Sequence, residues 1–272
     1  MKSVQFVQIT DPHMNAPGQN YSSVSMTDKL KLVFQDVKTS GFSPAFVVIT
    51  GDLAFDGNEA DYAYIRKLVD EGSALVDAPV HVILGNHDRR SPFREGYLGE
   101  TPSERPYYYS TTIGGMRLIG LDSEVPGETS GFGLIDREQL DWLAEEMKTT
   151  APHGTVIAVH HPMLRVNDIG AKYNLRNAEE VSKVLKTGRD IIGVFAGHVH
   201  SNNVGLYDGI LNIAASGSAY IGKRIGDGIA AGYNFCSYNL VTVTDLQATV
   251  QTIILPTPNE ELFRVELSRF AD

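Results

Sequence analysis

The chain has 272 residues, with 23 basic against 33 acidic side chains, a formal charge of −10, one cysteine and eight histidines. At roughly 100–200 residues per domain, this length suits one large α/β domain or a domain with a small appendage. The composition, 42% hydrophobic and 21% charged, is that of an ordinary globular chain with a real core. The acidic balance excludes a nucleic-acid scaffold, because neutralising phosphates takes a net basic surface. It leaves open a small anionic substrate held by a locally positive site. Cys236 alone makes no intramolecular disulfide, which is compatible with a reducing compartment. No stretch approaches the ~18 apolar residues of a membrane helix, and the first nine residues alternate like a strand rather than a signal peptide. The expectation is a cytoplasmic chain without membrane contact.

In chain order, Val4–Ile9, Ala45–Ile49, Pro79–Leu84, Thr155–Val159 and Ile191–Ala196 read as short strands, mostly buried on both faces. Helical spacing of Leu30, Val33, Phe34 and Val37 predicts a helix after the first strand, with Gly41 ending it. Tyr62, Ile65, Leu68 and Val69 mark a second helix. A third starts at Asp136 with Gln139 three residues on, and a fourth at Asn177 with Glu180, both in capping-box arrangement. Strand–helix alternation of this kind predicts an α/β fold with a largely parallel sheet. Two segments break the alternation: a hairpin over 107–122 turning at Gly114-Gly115, and a strand-rich 233–255 turning near Thr244-Asp245. They predict a second sheet. Residues 15–26 and 163–176, rich in Gly, Asn and Ser, read as loops long enough to be functional.

Every one of the five strands runs into polar residues of metal-binding type. They are Asp11-Pro12-His13, Gly51-Asp52, Gly85-Asn86-His87-Asp88, His160-His161-Pro162 and Gly197-His198-Val199-His200. Parallel strands collect ligands beyond their carboxyl ends, so the five clusters should meet in space. Carboxylates, an amide oxygen and imidazoles without thiolate suit Mn, Fe, Zn or Co, and seven such donors suit two ions sharing a carboxylate. Paired metals ~3.5–4 Å apart stabilise attacking and leaving oxygens in phosphoryl transfer.

The order of these motifs resembles the calcineurin-like metallophosphoesterases over residues 11–200. Leu121-Asp122-Ser123, Gly127, Gly131, Leu134 and Gln139-Leu140-Asp141-Trp142-Leu143 resemble the branch holding bacterial class III cyclic-nucleotide phosphodiesterases and glycerophosphodiesterases. The resemblance implies a four-layer α/β/β/α sandwich of two mixed sheets flanked by helices. Residues 1–272 would form one metallophosphoesterase domain, with about 202–272 completing the second sheet and available as a small cap or dimer contact. It further implies Asp11, His13 and His200 on one transition-metal ion (divalent, or one of a mixed-valence pair), Asn86, His160 and His198 on the other, and Asp52 bridging. His87 would stabilise the transition state or protonate the leaving alkoxide, with Asp88 a candidate to orient it. The implied reaction is in-line attack of metal-bound hydroxide on a small phosphodiester, a cyclic nucleotide or glycerophosphodiester. A phosphomonoesterase, nucleotide pyrophosphatase or nuclease on the same site is the alternative, and a metal-free binding protein of the same fold the remote one. No stable nucleic-acid complex is expected; a homo-oligomer is left open.

Departures from the family pattern bear on substrate. Asp56 stands where the family's protein phosphatases carry a phosphate-gripping Arg, which argues against phosphoprotein hydrolysis. Phe55 stands where a polar Asn is expected in glycerophosphodiesterase-like members, and no His follows His200. Arg89 and Arg90 are candidates to touch substrate or face solvent. His81 and His153 are read as structural, and His161 as a support behind His160. Tyr107-Tyr108-Tyr109 is read as alternate packing on a sheet rather than base stacking. The 163–176 loop is the candidate substrate-shaping segment.

Overall fold

The computed structural model describes residues 3–14, 25–127, 131–166, 173–226 and 228–266. Its first sheet grows from β1 (Ser3–Ile9), whose every second side chain faces the molecule's centre. Phe6 turns inward, stacking on Phe46 at 4.9 Å and meeting Phe195 edge-on at 5.1 Å, while Val7 and Ile9 turn outward. β1 pairs parallel with β2 (Phe46–Thr50), and β2 with β3 (Val80–Ile83). Helices α1 (Met26–Thr39) and α2 (Glu59–Val76) return the chain between these strands. Their apolar stripes, Leu30, Val33, Phe34, Ile65 and Val69 among them, cover the sheet's outer face. Each such side chain removed from water contributes about 1.5–3 kcal/mol. A short α3 (Arg90–Phe93) continues into one wider helical turn at Arg94–Leu98.

The hairpin β4 (Tyr109–Ile113) and β5 (Met116–Gly120) opens the second sheet, which continues in parallel through β6 (Thr155–Ala158) and β7 (Ile191–Ala196). α4 (Arg137–Glu146) and α5 (Ala178–Leu185) cover its outer face. The two sheets pack face to face through Phe6, Phe46, Val48 and Ile83 on one side and Leu118, Val156, Phe195 and Ile213 on the other. The result is the four-layer α/β/β/α arrangement of mixed sheets.

Two expectations need correction. The five motif-bearing strands do not share one sheet: β1, β2 and β3 lie in the first, β6 and β7 in the second. Their carboxyl ends still converge, because the two sheets pack with those ends on one side. The segment from 202 onward does not complete one sheet either. β8 (Asn203–Tyr207) and β9 (Ile210–Ala214) extend the second sheet, whereas β12 (Cys236–Thr244) and β13 (Gln247–Leu255) extend the first, β12 antiparallel to β1. β10 (Tyr220–Gly226), β11 (Ile229–Asn234) and β14 (Glu261–Glu266) make a separate three-stranded sheet. Alternation identifies a strand, but partners are chosen by long-range packing that a local pattern does not encode.

The helix starts also differ in detail. Asp136 does cap α4, accepting from the Gln139 N–H, but the Gln139 side chain bonds the Asp122 backbone instead of closing a box. Asn177 gives α5 no side-chain cap and instead bonds the backbone of Ile135 from both ends of its amide. Both side chains are spent on tying helices to loops near the site. Tyr107 packs on Phe93, Tyr108 on Trp142, and Tyr109 donates to the Val82 carbonyl, so this run is sheet packing.

Candidate metal centre

At the convergence of the two sheets, ligand atoms of Asp11, His13, Asp52 and His200 lie within 4.8 Å of one another, as do those of Asp52, His160 and His198. Asp52 belongs to both groups. Asn86, the remaining expected donor, holds its Oδ1 3.1 Å from His160 Nε2. All seven are therefore brought together.

The loops after the strands reach this arrangement through unusual backbone. Asp11, His13, Asp52, His198 and His200 all have positive φ, between 43° and 72°. Non-glycine residues avoid this region, at a cost of about 1–3 kcal/mol each, and such clusters occur where packing over-determines a functional geometry. Glycines supply the room. A Cβ on Gly85 would overlap Asp52, and one on Gly197 would overlap Thr10 and Asp11.

Hydrogen bonding sets which imidazole nitrogen faces inward. His160 Nδ1 sits 2.8 Å from the Thr50 carbonyl and His200 Nδ1 3.0 Å from the Tyr220 carbonyl. A carbonyl only accepts, so both Nδ1 atoms carry a proton and Nε2 is the nitrogen each ring turns inward. Burial lowers His160 but Asp52 outweighs it and lifts it to about 9, so a cation bound there would displace its Nε2 proton. His200 Nε2 then points at Asp11 Oδ1, 3.2 Å away, and at His13 Nε2, 3.1 Å away. His160 Nε2 points at Asp52 Oδ1, 3.3 Å away, and at the Asn86 oxygen. His13 Nδ1 and His198 Nε2 are buried without a hydrogen-bond partner. Converging acceptors and orphaned ring nitrogens, sealed from water, are the signature of a cation site. The donor set fits two ions of the N/O-preferring kind, with Asp52 between them.

Protonation is consistent with ligand duty. Burial alone would raise Asp11, but His200 and His160 outweigh it and hold the carboxyl at about 2. Asp52 is likewise held well below the usual carboxylate range, burial being outweighed by His160 and His87. Burial pushes His13 and His198 down to about 3 and so keeps both rings neutral. Thr10 donates to Asp11 Oδ2 at 2.7 Å, and the His198 N–H donates to the same carboxylate. These bonds fix the carboxylate that the strand end delivers.

The residues flanking the donors divide differently from expectation. His87 donates its backbone N–H to Asp52 Oδ1 and lines the cleft above the donors, with its ring stacked on Phe55 at 4.7 Å. Asp88 makes no bond to His87. Its carboxyl is buried and accepts from the backbone of Leu53, Ala54 and Gly85 and from the Tyr62 hydroxyl, bracing the β2 loop to the β3 loop. Arg90 neither touches the cleft nor faces solvent; it is buried in a two-pronged pair with Asp122. Arg89 stands on the cleft rim, paired with Asp56 at 2.7 Å. His161 lies behind the donors, 2.7 Å from Ser123 Oγ, its ring against His198 at 4.5 Å. His81 packs edge-on to Phe46, and the His153 N–H closes the Gly115 turn.

The donors floor a cleft of about 650 Å³. Its other wall is the third sheet, which sequence reasoning missed entirely as a site element. Tyr220 there stacks on His200 at 3.8 Å besides lending its carbonyl. A backbone carbonyl leaves no trace in a sequence, and β10 carries no motif. Of the two expected functional loops, residues 15–24 and 167–172 lie outside the described residues; Tyr173, at the end of the second, lines the cleft.

This fold, with imidazoles and a shared carboxylate gathered where its two sheets converge, defines a dinuclear-type metal hydrolase. Residues 4–202 match the family model for calcineurin-like phosphoesterases. The chain belongs to the calcineurin-like phosphoesterase family. It is 36% identical to a probable cyclic nucleotide phosphodiesterase of Rhodococcus erythropolis over 215 residues, 79% of this chain and 70% of that protein. It is 37% identical to a cAMP/cGMP dual specificity phosphodiesterase of Mycobacterium tuberculosis over 216 residues, 79% and 67% of the two chains. Identity is 26% to a probable glycerophosphodiester phosphodiesterase of Arcobacter nitrofigilis, over 79% of this chain and 78% of that one. Among solved structures, a dimetal phosphatase from Danio rerio shares the fold at TM-score 0.54 and 15% identity, covering 91% of this chain and 98% of that one. No helix among the described residues is long and apolar enough to cross a membrane.

Proposed function

We propose that this chain is a dinuclear metal-dependent phosphodiesterase of the cytoplasm, hydrolysing a small phosphodiester such as a cyclic nucleotide or a glycerophosphodiester. The observation that carries the reading is the pair of donor groups sharing Asp52 on the floor of a substrate-sized cleft. The names of the relatives support the diester over the monoester. In this reading Asp11, His13 and His200 hold one ion, Asn86, His160 and His198 the other, and Asp52 both. Mn, Fe, Zn and Co all suit these ligands. When bound, such a pair polarises the phosphoryl oxygens and supplies a nucleophile from water near neutral pH.

The protein's own residues do the rest. Asp11 and Asp52 offset only part of the charge of two divalent ions, so the floor stays positive and draws in a phosphodiester anion. The Thr50 and Tyr220 carbonyls hold His160 and His200 in the tautomer that faces inward. His87, held over the floor by its bond to Asp52 and by Phe55, is the group placed to donate a proton to the leaving alkoxide.

The test is hydrolysis of bis(p-nitrophenyl) phosphate against p-nitrophenyl phosphate with added Mn. The expected outcome is faster turnover of the diester, abolished by a chelator and restored by metal. Rapid cleavage of the monoester with none of the diester would overturn the reading in favour of a phosphomonoesterase.

A further inference from the structure

The cleft has unlike walls, and the one beside His200 is built from the third sheet. Tyr220 and Gly222 on β10, Ala230 and Ala231 on β11, and Phe263 and Val265 on β14 line it. No side chain among these six carries a charge, and the Tyr220 hydroxyl is the only polar side-chain group. The Phe263 ring lies over Gly232, where any Cβ would overlap it, and meets Tyr220 edge-on at 5.0 Å. Tyr220 in turn is stacked on His200. The ring of Phe263 is thereby fixed in orientation against the wall, although the residue is 38% exposed. Small residues at 222, 230 and 232, on the same face of the sheet, leave room beside the rings.

We infer that this wall is the specificity element of the site, and that it takes the flat face of an aromatic ring carried by the ester group, a nucleobase or aryl ring, in preference to a glycerol. The inference rests on the phosphodiesterase reading and sharpens it. A glycerol or headgroup alcohol leaving water needs several hydrogen-bond partners where these six side chains offer one hydroxyl, whereas the face of a ring packs on apolar surface and an aromatic side chain while any polar edge stays in water. Phe263 provides the edge or face, and Ala230, on the same face of the sheet, the room. Stacking of this kind tolerates different bases, so the wall selects planarity rather than base identity.

A substrate pair that differs only in the ring tests this: 3′,5′-cyclic AMP against the base-free methyl riboside 3′,5′-cyclic phosphate. The wild type is expected to show a KM on the order of tenfold lower for the nucleotide, with similar kcat. Phe263→Ala is expected to remove that advantage through KM, leaving the base-free substrate and the metal content unchanged. Ala230→Leu, which fills the surface beside Phe263 on the same face, is expected to do the same. Calorimetric binding of adenosine 5′-monophosphate against ribose 5-phosphate gives a readout independent of turnover, and tighter binding of the nucleotide, lost in Phe263→Ala, is expected. Equal affinity for the two ligands, or an equal loss for both substrates in Phe263→Ala, would overturn the inference. A wild type that hydrolyses neither substrate yet binds the nucleotide more tightly would overturn the phosphodiesterase reading and leave the wall as assigned.

Discussion

The floor of the cleft and its third-sheet wall are built by opposite means. The floor is made of charged and imidazole side chains, buried, held in left-handed backbone and pinned by hydrogen bonds from Thr10, Thr50 and Tyr220. The wall is made of alanines, glycine, valine and two rings on short strands whose register shifts twice, at Arg224/Gly226 and at Gly232/Tyr233. Chemistry on phosphorus tolerates little displacement, so the floor is rigid and costly; recognition of an ester group by shape tolerates more, so the wall is simple. A chain can therefore change its substrate by altering the wall while leaving the floor untouched.

The sharpest way to break this contrast is at Asp52, the carboxylate common to both donor groups. Asp52→Ala is expected to lower kcat/KM by on the order of 10³-fold or more, since the ion pair supplies several kcal/mol of transition-state stabilisation. Elemental analysis of the purified variant should show metal lost from both positions. A variant that keeps two ions per chain would remove Asp52 from the bridging role. His87→Ala is expected to cost less, about 10²–10³-fold in kcat, with metal content intact and the greatest loss on substrates with poor leaving groups. Loss of metal in that variant would make His87 a donor rather than a proton source.

The same contrast explains what could be read in advance. The motif at each strand end is a run of chemically costly residues, and such runs have few structural excuses, so all seven residues that the structure gathers on the floor were visible in the amino-acid order. The strands and helices that deliver them were visible through their periodicity. Three kinds of feature were not. The partition of β1–β3 and β6–β7 between two sheets depends on packing of Phe6 against Phe195, which lie 189 positions apart in the numbering. The support from Thr50 and Tyr220 comes from carbonyls, which every residue has. Asp88 and Arg90 stand beside the Gly-Asn-His motif, which makes Asp88 a candidate to orient His87 and Arg90 a candidate to touch substrate or face solvent. Yet Asp88 is consumed by three backbone N–H groups and a tyrosine, and Arg90 by Asp122. Position next to a motif carries no information about which way a side chain turns. Phe263 and Ala230, small or apolar and far along the chain, carry no chemical signature at all.

The wall and the body are joined at Lys29, and there the smallest effect is expected. Lys29 lies buried on α1, and its ammonium donates to the Ala219 carbonyl, at the start of β10, and to the Phe235 carbonyl, at the start of β12, 3.2 Å away. Burial lowers its pKa to about 8 from 10.5, against the opposing pull of Glu260. Cys236 is itself pushed up to about 12 by burial and stays protonated across that range. Between about pH 8 and 10.5 the unfolded chain then binds more protons at this lysine than the folded one, so stability rises with pH in that window. Below pH 8 the charged lysine exerts its full cost; above 10.5 the cost is gone. Chemical denaturation of the wild type and of Lys29→Met at several pH values isolates this group, because titrations shared by both proteins cancel. The difference should move in favour of the wild type from pH 8 to 10, by no more than about 1.4 kcal/mol per pH unit. A difference that stays flat would mean that the two carbonyls fully compensate the buried charge, and that the joint between wall and body is as rigidly specified as the floor.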